Sequence, residues 1–252
     1  MLVGCSAPLA TGVTTPDATP LVGPTLRVLT YNVNFELYHS STVDAVLAAN
    51  ADVAFLQETT SRWETMFRPA ISELYPYVEF RMADPDGGMA ILSRLPFHTE
   101  DWRPSPVGKF PAWCVRVDTA LGELAVLMVH LHPPLDENGL LTGFFTTSDE
   151  RLIEVRGHLG CFGRPPDLAV GDFNEGEGEA LDAVGAVGLT DAALTQLPLA
   201  RTWEMQVGGQ ILRGRPDHVF AARRYAPVRV EVLEAGASDH RPLLVTLQQS
   251  GL

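Results

Sequence analysis

Apolar positions along the chain fall in short runs, and their spacing switches between strand-like and helix-like periods. Leu26 to Tyr31 is a β-rich start, and Thr42 to Asn50 reads as a helix with Ser41 as its cap. Val53 to Leu56 is a continuous apolar run, the pattern of a strand buried on both faces. Arg62 to Leu74 is helical apart from Pro69. Strands are predicted at Tyr77–Arg81, Met89–Leu92 and Phe97–Trp102, punctuated by Gly87-Gly88 and Leu95-Pro96. Trp113–Thr119 and Glu123–His130 form a predicted hairpin across Ala120-Leu121-Gly122. Ser148–Leu159 is an amphipathic helix, Leu168–Gly171 a buried strand and Gly178–Val187 a helix. The last third returns to strands at Arg201–Met205, His218–Ala221, Val228–Leu233 and Leu243–Gln248. This order suits two mostly antiparallel sheets packed face to face, with helices outside them.

One folded domain is expected, residues 25–252, without internal repeats and preceded by a flexible segment, residues 1–24. Ser6 to Pro24 is rich in Thr, Pro, Gly and Ala and has no apolar periodicity, which reads as a tether. Leu2-Val3-Gly4-Cys5 resembles a lipobox, although only four residues precede Cys5 and no apolar stretch leads into it. A true lipobox would attach the protein to a membrane and place it in the cell envelope or outside the cell. A chance match leaves it cytoplasmic. Cys114 and Cys161 read as small buried residues, with a bridge between them left open.

Composition narrows the function classes. Hydrophobic residues make up 46% of the chain, enough to bury a large core and to exclude a disordered chain. No apolar run is long enough to cross a bilayer. The net charge is −13, and Lys109 is the only lysine. Such a chain disfavours tight nonspecific binding of nucleic acid, which depends on neutralising phosphates with Lys and Arg. It does not exclude an enzyme that meets phosphate through a metal.

Residues capable of acid–base or metal chemistry gather where the predicted strands meet loops. Asn32 and Asn34 end the first strand, Glu58 the second, His130 and His132 a third, and Asp172, Asn174 and Glu175 a fourth. Asp217 and His218 open another, and Asp239 and His240 the last. Each has a plainer reading: Asn32 a turn residue, Glu58 a surface acid, His130 a satisfied core histidine, Asp239 a cap. Those readings would have to hold together, and six strands delivering such groups to loops argues for a ligand site.

The segments Thr30-Tyr31-Asn32-Val33, Leu56-Gln57-Glu58, Met89 to Arg94, Val129-His130-Leu131, Gly171-Asp172-Phe173-Asn174, Arg215-Pro216-Asp217 and Ser238-Asp239-His240 occur in one order. In that order the chain resembles the endonuclease/exonuclease/phosphatase superfamily, which includes DNase I-like nucleases, apurinic endonucleases and bacterial sphingomyelinases. The resemblance implies an α+β fold, a four-layer α/β/β/α sandwich. It implies a Mg²⁺ ion, with Mn²⁺ as the alternative, held by Glu58 with help from Asn32 and Asp239. It implies that Asp172 orients or deprotonates the attacking water and that Asn174 positions it. His240, fixed by Asp217, and His130 would contact the phosphate. Asn34 matches a position near the metal.

The function this implies is in-line hydrolysis of a phosphodiester or phosphomonoester. Nucleic acid, a phospholipid head group and a small metabolite all stay open as substrates, as does a non-catalytic binding module on the same scaffold. His132 would shift the preference toward Zn²⁺ or Mn²⁺ if it entered the site, but a solvent-facing place fits it better. His39, His98 and His158 read as surface residues, and Glu175, Glu177 and Glu179 as a solvated loop. Arg213, Arg215, Arg223, Arg224 and Arg229 form the nearest thing to a basic patch. Trp203 is placed under the site, and Phe144-Phe145 are candidates for substrate or membrane contact.

Overall fold

A computed structural model of the chain describes residues 13–14, 23–83, 87–135, 142–143 and 146–251. Cys5 and Phe144-Phe145 lie outside them, so the readings attached to those residues do too. The first sheet holds β1 (Val13–Thr14), β2 (Thr25–Asn32), β3 (Val53–Thr59), β4 (Tyr77–Arg81), β5 (Gly88–Ser93), β14 (Tyr225–Val232) and β15 (Leu243–Gln249), in the order β1-β14-β15-β2-β3-β5-β4. The second holds β6 (Phe97–Arg103), β7 (Ala112–Thr119), β8 (Gly122–His130), β9 (Leu168–Asp172), β10 (Leu189–Asp191) and β13 (Asp217–Ala222), in the order β10-β13-β9-β8-β7-β6. β11 (Trp203–Val207) and β12 (Gln210–Gly214) form a separate hairpin.

Helices α1 (Ser40–Ala49) and α2 (Ser61–Ile71) cover the first sheet, and α3 (Ser148–His158) and α4 (Glu179–Ala186) the second, with a short α5 (Ala192–Gln196). This is the expected four-layer sandwich. Strand alternation builds it. Val28, Phe55, Ile91, Val126, Val170, Val219 and Val245 face the space between the sheets, while Leu29, Leu56, Leu127 and Ala169 face the helices. Both sheets are mixed rather than purely antiparallel, because β2–β3 and β8–β9 run parallel. Their crossover segments carry α1 and α3 to the outer faces, as parallel connections require. Two residues of the segment expected to be flexible, Val13–Thr14, pair with β14 at the sheet edge.

Local chemistry corrects some boundaries. His39, not Ser41, caps α1: its Nδ1 accepts the Ser41 amide at 3.1 Å, so the helix begins at Ser40, two residues earlier than expected. α2 runs through Pro69 and ends at Ile71. His158 is buried rather than exposed, and burial lowers its pKa to about 4, with the Arg103 charge adding to the effect. Cys114 and Cys161 are joined as a disulfide, which ties β7 to the segment just after α3.

Candidate active site

The strand ends that carry polar groups meet where the space between the sheets opens at one end of the sandwich. Asp172 is the hub. β9 lies between β8 and β13, so His130 and Asp217 both sit directly opposite Asp172. Their side chains share the inward face with Val126, Val170 and Val219. The close approach depends on Gly171: a Cβ there would lie 1.9 Å from the Val129 carbonyl oxygen.

The first sheet supplies the opposite wall. Asn32 Nδ2 donates to Glu58 Oε1 at 2.9 Å and to Asp172 Oδ2 at 3.0 Å, linking the two sheets through one amide. Glu58 stands at an irregularity in the β3–β5 ladder with φ 59°, a conformation unusual for a residue with a side chain. Gly87 packs on it so closely that a Cβ would lie 3.1 Å from the Glu58 backbone. Asn34 and Asn174 also adopt positive φ, 61° and 55°. Left-handed residues of this kind re-aim side chains at a cost that the surroundings must offset. Asn34 Nδ2 donates to Asp239 Oδ1 at 2.8 Å, and Trp203 Nε1 donates to Asp239 Oδ2 at 3.0 Å, so Trp203 holds a site carboxylate.

Two imidazoles flank Asp172 in different states. His240 Nδ1 bonds Asp217 Oδ2 at 2.9 Å, and its Nε2 lies 3.7 Å from Asp172 Oδ2. Burial opposes its charge, but Asp217 and Asp172 outweigh burial and lift the pKa to about 10. His130 is driven the other way, to about 3, by burial and then by the charges of His240 and Lys109. It is neutral at pH 7, so its approaches of 3.8 Å to Glu58 and 3.7 Å to Asp172 are not ion pairs. Its ring stacks flat on Phe110 at 3.9 Å, a contact with no sequence signal because Phe110 belongs to the β6–β7 connection. Burial raises Asp172 to about 7 and raises Glu58 as well.

Asp172, Asp217 and His240 each offer one ligand atom within 4.8 Å of the others, a set that could chelate a divalent cation. The wider donor set also fits one. Glu58 and Asp239 are close enough to interact, and Asp172 and Asp217 lie opposite each other, so four carboxylates share one region. Asp217 Oδ1 is buried and has no hydrogen-bond partner among the described residues. Hard oxygen donors in carboxylate excess suit Mg²⁺ or Mn²⁺ better than Zn²⁺. A depression of about 300 Å³ opens beside Asp239 and His240, bordered by Glu204, Glu234 and Arg241.

His132 lies past the end of β8, and its Nδ1 bonds the Pro133 carbonyl at 2.9 Å. Glu175 is not solvated: it is buried against Arg151 at 2.9 Å. Of the five arginines of the basic patch, Arg213 pairs with Glu204, Arg224 with Asp167 and Arg229 with Glu231, Arg215 is buried, and Arg223 is exposed.

The sequence matches the Endonuclease/Exonuclease/phosphatase family over residues 29–240. Among solved structures, D. rerio TDP2 complexed with a single-strand DNA product superposes with TM-score 0.71 at 17% identity, covering 89% of this chain and 99% of that one. An endonuclease/exonuclease/phosphatase from Beutenbergia cavernae gives TM-score 0.66 at 20% identity, over 90% of this chain and 72% of the other. ANGEL2, a 2′,3′-cyclic phosphatase in complex with adenosine-2′,3′-vanadate, gives TM-score 0.68 at 14% identity, over 89% and 96%. At such identities the likeness is one of fold. No curated protein matches the sequence.

Proposed function

The chain belongs to the endonuclease/exonuclease/phosphatase family, and on that premise we propose that it is a Mg²⁺- or Mn²⁺-dependent phosphoesterase. It would cleave a phosphodiester or phosphomonoester by in-line attack of water. The observation that carries this reading is the convergence of Asn32, Glu58, His130, Asp172, Asn174, Asp217 and His240 around one buried carboxylate. A binding module on this scaffold would have no use for so complete a set.

Glu58 would hold the ion, with Asn32 and Asp239 fixing its surroundings. Glu58 is the better anchor than the Asp172–Asp217–His240 set, because Asp217 and His240 engage each other through Oδ2 and Nδ1. When bound, the ion supplies positive charge to the phosphate oxygens as charge grows in the transition state. Asp172 would receive the proton of the attacking water, and burial favours it as a base by raising its proton affinity. Asn174, whose amide nitrogen donates to the Leu131 carbonyl, keeps its side-chain oxygen for that water. His240, held charged by Asp217, would donate to a phosphate oxygen or the leaving group. His130, neutral, would donate a second hydrogen bond from Nε2.

Substrate size follows from charge. The paired arginines and the net charge of −13 favour a compact ester over an extended polyanion. A nucleic acid end stays within reach of the site, as the DNA product bound to D. rerio TDP2 illustrates for that protein. The disulfide supports an oxidising compartment as the place of work.

The test is hydrolysis of a chromogenic phosphodiester and monoester with Mg²⁺, Mn²⁺ or EDTA, followed by a panel of DNA, RNA, sphingomyelin and nucleotides. Expected are metal-dependent turnover, its loss with EDTA, its return on adding Mg²⁺, and a loss of at least about 10³-fold in Asp172→Ala. Wild type and Asp172→Ala equally inactive on every ester and metal would defeat the proposal.

A further inference from the structure

Two charged side chains on the inner face of α3 are buried where a helix covering a sheet ordinarily presents apolar groups. Arg151 is 2% exposed and Glu154 fully buried. Three residues apart, they share one face of the helix. Burying a carboxylate is costly unless hydrogen bonds replace its water. Glu154 has two short ones: Oε2 accepts the His132 amide at 2.6 Å and Oε1 accepts the Ser105 hydroxyl at 2.6 Å. Arg151 Nη1 donates to the His132 carbonyl at 3.3 Å, and its Nε pairs with Glu175 Oε2 at 2.9 Å. The helix therefore grips the His132 residue at both its N–H and its C=O.

What it grips adjoins the chemistry on both sides. Between His132 and His130 lies Leu131, whose amide donates to the Asp172 carbonyl at 2.9 Å and whose carbonyl accepts from Asn174 at 2.8 Å. Ser105 belongs to the β6–β7 connection, which also carries Phe110, the ring stacked on His130. The two oxygens of Glu154 thus reach the backbone that follows His130 and the segment that packs on its imidazole.

We propose that Glu154 is a positioning residue of the active site, setting the place of the His130 imidazole relative to Asp172 through the His132 amide and Ser105. The catalytic consequence rests on the phosphoesterase reading; the positional one does not. Burial raises the Glu154 pKa to about 7, outweighing the Ser105 and His132 hydrogen bonds and the Arg151 charge, which lower it. At the His132 amide its role is that of an acceptor, which a glutamine oxygen can also fill, while at Ser105 a glutamine NH₂ would donate to the hydroxyl instead of accepting from it.

Glu154→Gln keeps an oxygen for the His132 amide and an NH₂ for Ser105, while Glu154→Leu keeps the volume and removes both partners. Expected for Leu is a kcat lowered by roughly ten- to a hundredfold with KM within about threefold, and for Gln a kcat within about threefold of wild type. The His130 ring resonances in ¹H–¹⁵N spectra, assigned with His130→Gln, provide a second readout that needs no substrate. They should shift in the Leu variant and stay in place in the Gln variant. If the Leu variant does not fold, Ser105→Ala takes its place, with a smaller kcat loss and a smaller ring shift in the same direction.

A Leu variant with unmoved resonances, a Gln variant as impaired as Leu, or an unchanged Ser105→Ala where that substitute is used, overturns the proposal. So does a loss confined to KM. Wild type inactive on every ester removes the phosphoesterase reading alone, and the ring resonances still decide the position of His130.

Discussion

Two carboxylate–imidazole pairs meet on neighbouring residues of β13. Asp217 bonds His240 Nδ1 at 2.9 Å, and His218 Nδ1 bonds Asp191 Oδ2 at 2.8 Å. The strand pleat sends them to opposite faces: Asp217 to the space between the sheets, His218 toward Phe173 and Phe220 under the helices. The pairs are close to identical in chemistry and length, and what separates them is the second ring nitrogen. His218 Nε2 is taken by the Glu175 carbonyl at 2.9 Å. His240 Nε2 faces Asp172 at 3.7 Å, beyond hydrogen-bond distance, where an atom of a ligand can be accepted. Under the proposed function the Asp217–His240 pair would act on the substrate through its outer nitrogen, whereas the His218–Asp191 pair, with both nitrogens engaged, is a strut. The strut holds Glu175, the residue that follows Asn174 in the segment leaving β9 at Asp172.

The largest expected effect breaks the two pairs apart by activity. His240→Ala should lower kcat by about 10²–10⁴-fold, the range for loss of an acid–base group. His218→Leu, assayed at equal folded protein, should lose less than about tenfold, because it touches no reacting atom. Equal losses in the two variants would place both pairs in the chemistry and end the distinction.

The same contrast shows what the sequence could and could not display. Asp172, Asp217 and His130 are legible because each stands at a rigid strand end, and His240 because it lies just ahead of β15, so order along the chain carries over into space. The sandwich was legible from alternation for the same reason. The role of His218 was not, because its partners Asp191 and Glu175 come from other elements. Glu175 and His158 are buried where their polarity suggests solvent, and only tertiary structure reveals that burial. Glu154 was hidden inside an amphipathic pattern in which a charge normally marks the outer face. The β11–β12 hairpin did leave a signal, Gly208-Gly209, both at positive φ between two strand-like runs.

Stability should separate the pairs next. His218 is fully buried and Asp191 nearly so, and removing one member leaves the other without its compensating charge. His218→Leu is expected to cost about 3–5 kcal/mol in urea unfolding, the usual range for breaking a buried pair. Arg215, 4.0 Å from Asp191, offsets part of that and places the value toward the lower end. A cost under about 1 kcal/mol would remove the strut interpretation.

The smallest effect is the most particular to the strut, and it lies in acid. Burial pushes the Asp191 pKa up, but the hydrogen bond and charge of His218, the Leu194 amide at the start of α5 and the Arg215 charge outweigh burial and hold it below its ordinary 3.8. A carboxyl depressed in the folded state adds stability that is fully present above its unfolded value and lost as pH falls through its folded one. The wild-type advantage over His218→Leu should therefore be constant above about pH 5 and narrow below about pH 4, by about 1.4 kcal/mol for each unit of depression lost. Urea unfolding of both proteins from pH 7 down to pH 3 measures it. A gap that stays constant through that range would mean that His218 holds Glu175 by its outer nitrogen alone, and that Asp191 serves α5 as a cap rather than the site as a strut.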